Sequence, residues 1–197
     1  MKFELLSGDR RHAEIKCWEP WFHEVGRARH AFRKAVGLDP MCNETASMGV
    51  LAAAASRVNM LAMTDYVCRK RGLHDGRSFR HGRADLWVYD PNRGTSWVFE
   101  AKQFRAPPGA RQTTFEKHLR RACHEAARVP EWEADRKFGI LIVTGRDEVL
   151  KDTLSQAAAE QAERSFAACR FDGGELPAYA FIRAARRRRM LGAGARF

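Results

Sequence analysis

Gly82-Arg-Ala-Asp-Leu-Trp-Val-Tyr-Asp-Pro-Asn-Arg-Gly-Thr-Ser-Trp-Val-Phe-Glu-Ala-Lys-Gln103 is the stretch that decides how this chain is read. Two runs rich in Val, Trp, Tyr and Phe, Ala84–Tyr89 and Ser96–Ala101, flank Asp90-Pro-Asn-Arg-Gly94. That central pentapeptide is turn chemistry, so the stretch predicts a β-hairpin. Symmetric pairing about the turn makes facing residue numbers sum to a constant and sets Asp85 opposite Glu100. Side chains alternate along a strand, so Glu100 and Lys102 share a face, and Asp85 joins them there. A slip of one residue would scatter the three.

Two carboxylates and an ammonium converging at one end of a hairpin suit phosphodiester hydrolysis. That reaction needs a hard cation to neutralise the scissile phosphate and to acidify the attacking water. Mg²⁺ takes oxygen ligands, and Mn²⁺ can replace it. Asp85 and Glu100 would supply carboxylates, with the backbone carbonyl of Ala101 as a further metal ligand. Lys102 would orient the water or stabilise developing negative charge. The competing reading is a cross-strand ion network on a solvated sheet. Against it stand the apolar neighbours Leu86, Trp87, Val88, Trp97, Val98 and Phe99, among which unpaired charge is costly. Trp87 and Trp97 themselves read as core residues rather than base-stacking platforms.

Outward from the hairpin, Glu19–Ala35 reads as a helix, closed by Gly37 and Asp39-Pro40. From Asn43 to Arg71 a stretch rich in alanine and methionine, free of proline, predicts one long helix ended by Gly72. Its apolar stripe is Met48, Leu51, Ala52, Ala55, Val58 and Ala62. Glu44 lies one turn before Met48 on that stripe, at a core edge or facing a site. Arg71–Gly82 is a loop or an irregular first strand. After the Pro107-Pro108-Gly109 loop, Thr113–Val129 predicts a helix with Phe115, Leu119, Ala122, Ala126 and Val129 on its apolar side. Phe138–Thr144 is continuously apolar, the mark of a strand covered on both faces. Glu148–Cys169 reads as a helix and Ala178–Ile182 as a last strand. This order predicts an α/β protein, a sheet with helices packed on both faces.

The 197 residues are 45% hydrophobic, enough for one core, and no stretch is apolar for the roughly 20 residues of a membrane span. With no secretory signal pattern at Met1–Arg11, a cytoplasmic protein without a membrane partner is expected. Five dispersed cysteines, with no C-x-x-C pair, argue against a disulfide framework or a structural zinc site. The net charge of +11 attracts polyanions, nucleic acid first among them. Part of that charge lies in Arg183–Phe197, which holds six arginines and no acid. Arg80, Arg83, Lys117, Arg121, His124 and Arg128 are the expected phosphate contacts, which position a strand without reading its sequence. A solvated helix face is the alternative for each of the last four.

The run Gly82-Arg-Ala-Asp85-Leu-Trp-Val, followed after a hairpin by Trp97-Val-Phe-Glu100-Ala-Lys102-Gln, resembles the active-site hairpin of the PD-(D/E)xK superfamily of restriction-endonuclease-like nucleases. Ala84 stands where the motif's name has proline. The resemblance implies a restriction-endonuclease-like core with a mixed central sheet, over residues 43–182. Residues 1–42 would then be a helical extension packed on that core or used for homodimerisation, and 183–197 a basic tail. It also implies Mg²⁺ on Asp85 and Glu100, water assistance by Lys102, and Glu44 as the first-helix glutamate of the catalytic set. DNA is preferred over RNA on the same ground. Two alternatives stay open: a non-catalytic nucleic-acid- or protein-binding module on this fold, and a basic interaction protein docking through its arginine tail.

Overall fold

The computed structural model describes residues 3–72, 79–107, 109–145, 159–163, 165–172 and 177–185. In chain order the elements are β1 (Phe3–Ser7), α1 (Ala13–Val36), α2 (Glu44–Arg57), β2 (Leu61–Arg71), β3 (Phe79–Asp90), β4 (Thr95–Ala106), α3 (Gln112–Ala126), β5 (Arg136–Gly145), β6 (Ala167–Phe171) and β7 (Ala178–Ala184). The strands form one seven-stranded sheet in the order β1-β6-β7-β5-β4-β3-β2. Among the described residues only β4 and β5 run parallel, and α3 makes the crossover that parallel neighbours require. The rest of the sheet is antiparallel.

Helices α1 and α2 cover one face and α3 the other, so the protein is α/β with a mixed sheet between helical layers. The β5 run is sealed on both sides, as its unbroken apolar sequence predicts. Ile140 and Ile142 join the core under α1 and α2, while Leu141 and Val143 pack with Phe115 and Leu119 of α3. Gly139 lets α3 approach closely, since a Cβ there would lie 2.4 Å from the backbone nitrogen of Cys123.

Helix α1 supplies the largest buried side chains. Trp18, Trp21, Phe22 and Val25 recur at helical spacing and are buried. Trp18 meets Trp97, Phe99, Phe138 and Phe166 edge-on or tilted. The helix begins at Ala13, six residues before the expected start, so Pro20 lies inside it. Trp97 is a core residue, as expected, and Trp87 is half-buried, stacked on Tyr89.

The predicted helix from Asn43 to Arg71 is two elements. α2 starts on an Asn43 cap, whose side chain accepts from the Ala46 N–H at 2.8 Å, and ends at Arg57. Asn59 follows at φ 62°, the left-handed stop that asparagine tolerates. From Leu61 the chain is strand β2, so Ala62 belongs to the sheet and not to the helical stripe. Thr64, Tyr66 and Val67, β-branched or aromatic, favour the extended form, and pairing with β3 overrides the alanine and methionine signal. The predicted helix Glu148–Cys169 falls mostly outside the described residues. Its end is corrected, because Cys169 lies in β6. Strand β1 has no counterpart in the sequence reading. Arg183, counted with the basic tail, lies in β7 and forms a two-pronged ion pair with Glu116 at 2.7 Å. Residues 186–197 are outside the described residues. No described helix is long and apolar enough to cross a membrane.

Candidate active site

The β3–β4 ladder runs Asp90↔Thr95, Tyr89↔Ser96, Val88↔Trp97, Trp87↔Val98 and Leu86↔Phe99. This is the register counted from the turn. Asp90 makes that turn itself: its carbonyl accepts from Gly94 N–H at 2.9 Å and its carboxylate from Asn92 N–H at 2.9 Å. The ladder stops after Leu86↔Phe99. The next residue, Asp85, continues the pairing through its side chain: Oδ2 accepts from the Ala101 N–H at 2.6 Å. Asp85 is thereby tied to the peptide between Glu100 and Lys102.

The packing phase also changes at Asp85. Leu86 and Val88 belong to the core beneath α1 and α2, whereas Ala84 packs with Cys68 and Val98 on the α3 side. Across the β2–β3 pair, between Thr64↔Leu86 and Tyr66↔Ala84, Asp65 takes φ 51°, a strained value for a non-glycine residue. Both strands are thus irregular at the level of the candidate site.

Glu100 is 1% exposed, and its Oε1 has no hydrogen bond among the described residues. Its nearest counter-charge is Lys70 of β2, whose Nζ lies 2.6 Å from Oε1. Burial, and then the charge of Asp85, push the Glu100 carboxyl up to about 7. Burial raises Asp85 as well, against the Ala101 N–H and the cations Lys102 and Lys70.

Lys102 is held from three sides. Its Nζ is 2.9 Å from Glu125 Oε2 on α3 and 3.8 Å from Glu44 Oε1 on α2, and donates to the Ala101 carbonyl at 2.6 Å. Burial pulls its pKa down, but Glu125, Glu44 and Asp85 together outweigh burial and raise it. The same contact, with help from Arg121, holds Glu125 below its usual range despite burial. Glu44 opens α2, and its Oε2 accepts from the Gln103 N–H at 3.2 Å. Gln103, left without a role by the sequence, points to the α2 side. Its side chain accepts from Ser47 at 2.8 Å and donates to the Met41 carbonyl at 2.8 Å.

Asp85, Glu100, Lys102 and Glu44 therefore meet around the Ala101 peptide. The Ala101 carbonyl, an expected metal ligand, is engaged by Lys102. Among the described residues no three His, Cys, Asp or Glu side chains gather as a ready-made metal site. The Asp85 and Glu100 pair nonetheless suits a cation: two carboxylates raised by burial, one of them already facing the ammonium of Lys70.

The expected phosphate contacts divide. Arg80 and Arg83 of β3 and Lys117, Arg121 and His124 of α3 are exposed. Arg121 is paired with Glu125 at 3.1 Å, and Arg83 lies 3.7 Å from Asp65. Arg128 has a structural task, donating from Nε to the Arg71 carbonyl at 2.9 Å while its own carbonyl accepts from Arg71 N–H at 2.9 Å.

Lys70 and Glu125 were missed by the sequence reading. Glu125 had a signal: it neighbours Ala122 and Ala126 of the buried stripe, on a face otherwise basic. Lys70 had none while its segment was read as helix; only the strand makes it a neighbour of β3 and, beyond it, β4. Comparison with family models, with curated proteins and with solved structures finds no match to this chain.

Proposed function

We propose that this chain is a Mg²⁺-dependent phosphodiesterase acting on nucleic acid, with DNA the favoured substrate, on a restriction-endonuclease-like core. The observation that carries the proposal is the Asp85 carboxylate bonded to the Ala101 N–H, at 2.6 Å, between buried Glu100 and Lys102. Asp85 and Glu100 would hold the ion, which would lower the pKa of a bound water and neutralise charge on the scissile phosphate. Lys102, its pKa raised by Glu125, Glu44 and Asp85, stays an ammonium at neutral pH. It therefore donates hydrogen bonds and positive charge to a phosphate or water and does not take up the proton. Glu125 and Glu44 fix its direction. The exposed side chains of Arg80, Arg83, Lys117 and His124 would bind flanking phosphates.

The test is cleavage of single- and double-stranded DNA and RNA with Mg²⁺ or Mn²⁺ and with EDTA. Metal-dependent cutting is expected, falling roughly 10²–10³-fold in Asp85→Ala and Lys102→Ala variants that keep the wild-type circular dichroism spectrum. Cutting that survives both substitutions would overturn the assignment.

A second reading has an observation in its favour. Glu100 already faces Lys70, and Lys102 already faces Glu125, so the charges are met within the chain. On that reading the fold is a nucleic-acid- or protein-binding module. It predicts binding that is indifferent to Asp85→Ala and an absence of cutting under every metal condition.

A further inference from the structure

Lys70 and Glu100 are not on neighbouring strands. Lys70 lies on β2 and Glu100 on β4, with β3 between them. In register, Lys70 faces Arg80 and Cys68 faces Gly82. The lysine stem crosses β3 over Gly82, where a side chain would block it. A Cβ on Gly82 would lie 2.9 Å from Lys70 Cδ and 3.1 Å from Cγ. Its ammonium then ends 2.6 Å from Glu100 Oε1, on a side chain that is itself only 13% exposed. Gly82 is thus the opening in β3 through which the lysine reaches the carboxylate.

We propose that Lys70 is a tethered counter-cation that occupies the Glu100 carboxylate in the resting protein, and that a divalent metal must displace it to bind. The inference rests on the phosphodiesterase reading of Asp85 and Glu100. The contact can be exchanged because the ammonium sits on a flexible four-carbon stem and can swing away from the carboxylate without moving β2. It also neutralises a buried carboxylate that would otherwise face Asp85 alone, so the metal-free fold tolerates the pair. Metal and lysine compete for one oxygen. The lysine then raises the metal concentration at which the site fills, without touching substrate.

Titration with MnCl₂ by calorimetry tests this on the full chain, with wild type, Lys70→Met, Gly82→Ala, Glu100→Gln and Asp85→Asn. Lys70→Met removes the charge. Gly82→Ala keeps it but pushes the stem off its path, so it carries the test even if Lys70→Met fails to fold. Both should bind Mn²⁺ about tenfold more tightly than wild type, while Glu100→Gln and Asp85→Asn bind at least tenfold more weakly. Thermal melts supply a second readout: Lys70→Met should melt below wild type without metal and gain more from saturating Mn²⁺. If wild type binds Mn²⁺ through Glu100 and Asp85, but Lys70→Met and Gly82→Ala bind no more tightly, the displacement idea alone is overturned. If Glu100→Gln and Asp85→Asn leave Mn²⁺ binding unchanged, or wild type binds none, the phosphodiesterase reading falls and takes this inference with it.

Discussion

Near neutral pH the carboxyl of Glu100 sits close to its midpoint, because burial and the Asp85 charge lift it from 4.5 to about 7. The folded state therefore prefers the neutral acid. Below about pH 4.5 both folded and unfolded chains hold the proton, and the group carries no penalty. Between about pH 4.5 and 7 the unfolded chain is ionised while the folded one still holds the proton, so stability falls across that window and levels off above it. A shift of this size corresponds to about 3 kcal/mol in the metal-free protein. Glu100→Gln is expected to remove that loss: urea midpoints should flatten between pH 5 and 8, with a gain over wild type at pH 8. An unchanged pH profile would mean that the carboxylate is already fully compensated by Lys70. In the enzyme reading the same residue sets a lower pH limit, since a neutral acid is a poor ligand for a divalent ion.

At the scale of elements, the site is made where three of them approach the Ala101 peptide: α2 through Glu44, β3 through Asp85 and α3 through Glu125. The approach of α3 depends on Gly139, which faces Glu100 in the β4–β5 register and admits the Cys123 backbone. Gly139→Ala sets a Cβ against backbone and cannot be relieved by a rotamer change. The expected cost is about 1–3 kcal/mol of stability, from overpacking between β5 and α3. Because α3 must move, the Lys102–Glu125 contact should loosen too, and on the phosphodiesterase reading cleavage should fall by more than the loss of folded protein accounts for. Urea unfolding together with specific activity per folded molecule checks this. A Gly139→Ala protein of wild-type stability would contradict the close packing of α3 on β5.

For the molecule as a whole, α1 belongs to the main core: Trp18 and Trp21 are fully buried against the sheet and α2. Trp18→Ala should cost about 3–5 kcal/mol, since it opens a cavity lined by Trp97, Phe99, Phe138 and Phe166. Loss of cooperative unfolding in that variant, or a large fall in its urea midpoint, is the expected readout, and a change under 1 kcal/mol would contradict the packing. The hairpin, its register as far as Leu86↔Phe99 and the doubly buried β5 were legible in the sequence, because turn residues set the pairing, strand alternation sets the faces and an unbroken apolar run requires cover. Asp85, Glu100 and Lys102 could be named as candidates, but Asp85 is not a further rung of the ladder: it joins the others through its side-chain bond to the Ala101 N–H. The β2 strand was hidden because no proline or glycine separates it from the alanine-rich helix before it, whereas pairing with β3 holds it extended. Lys70 belongs to the tertiary structure alone, and so does the contact made by Glu125, whose place beside the buried stripe was its one signal in the sequence. One reaches Glu100 across an intervening strand through the gap at Gly82, and the other comes from a helix packed on the sheet. No spacing along the chain records either approach, because each distance is set by how separate elements pack and not by the backbone that joins them.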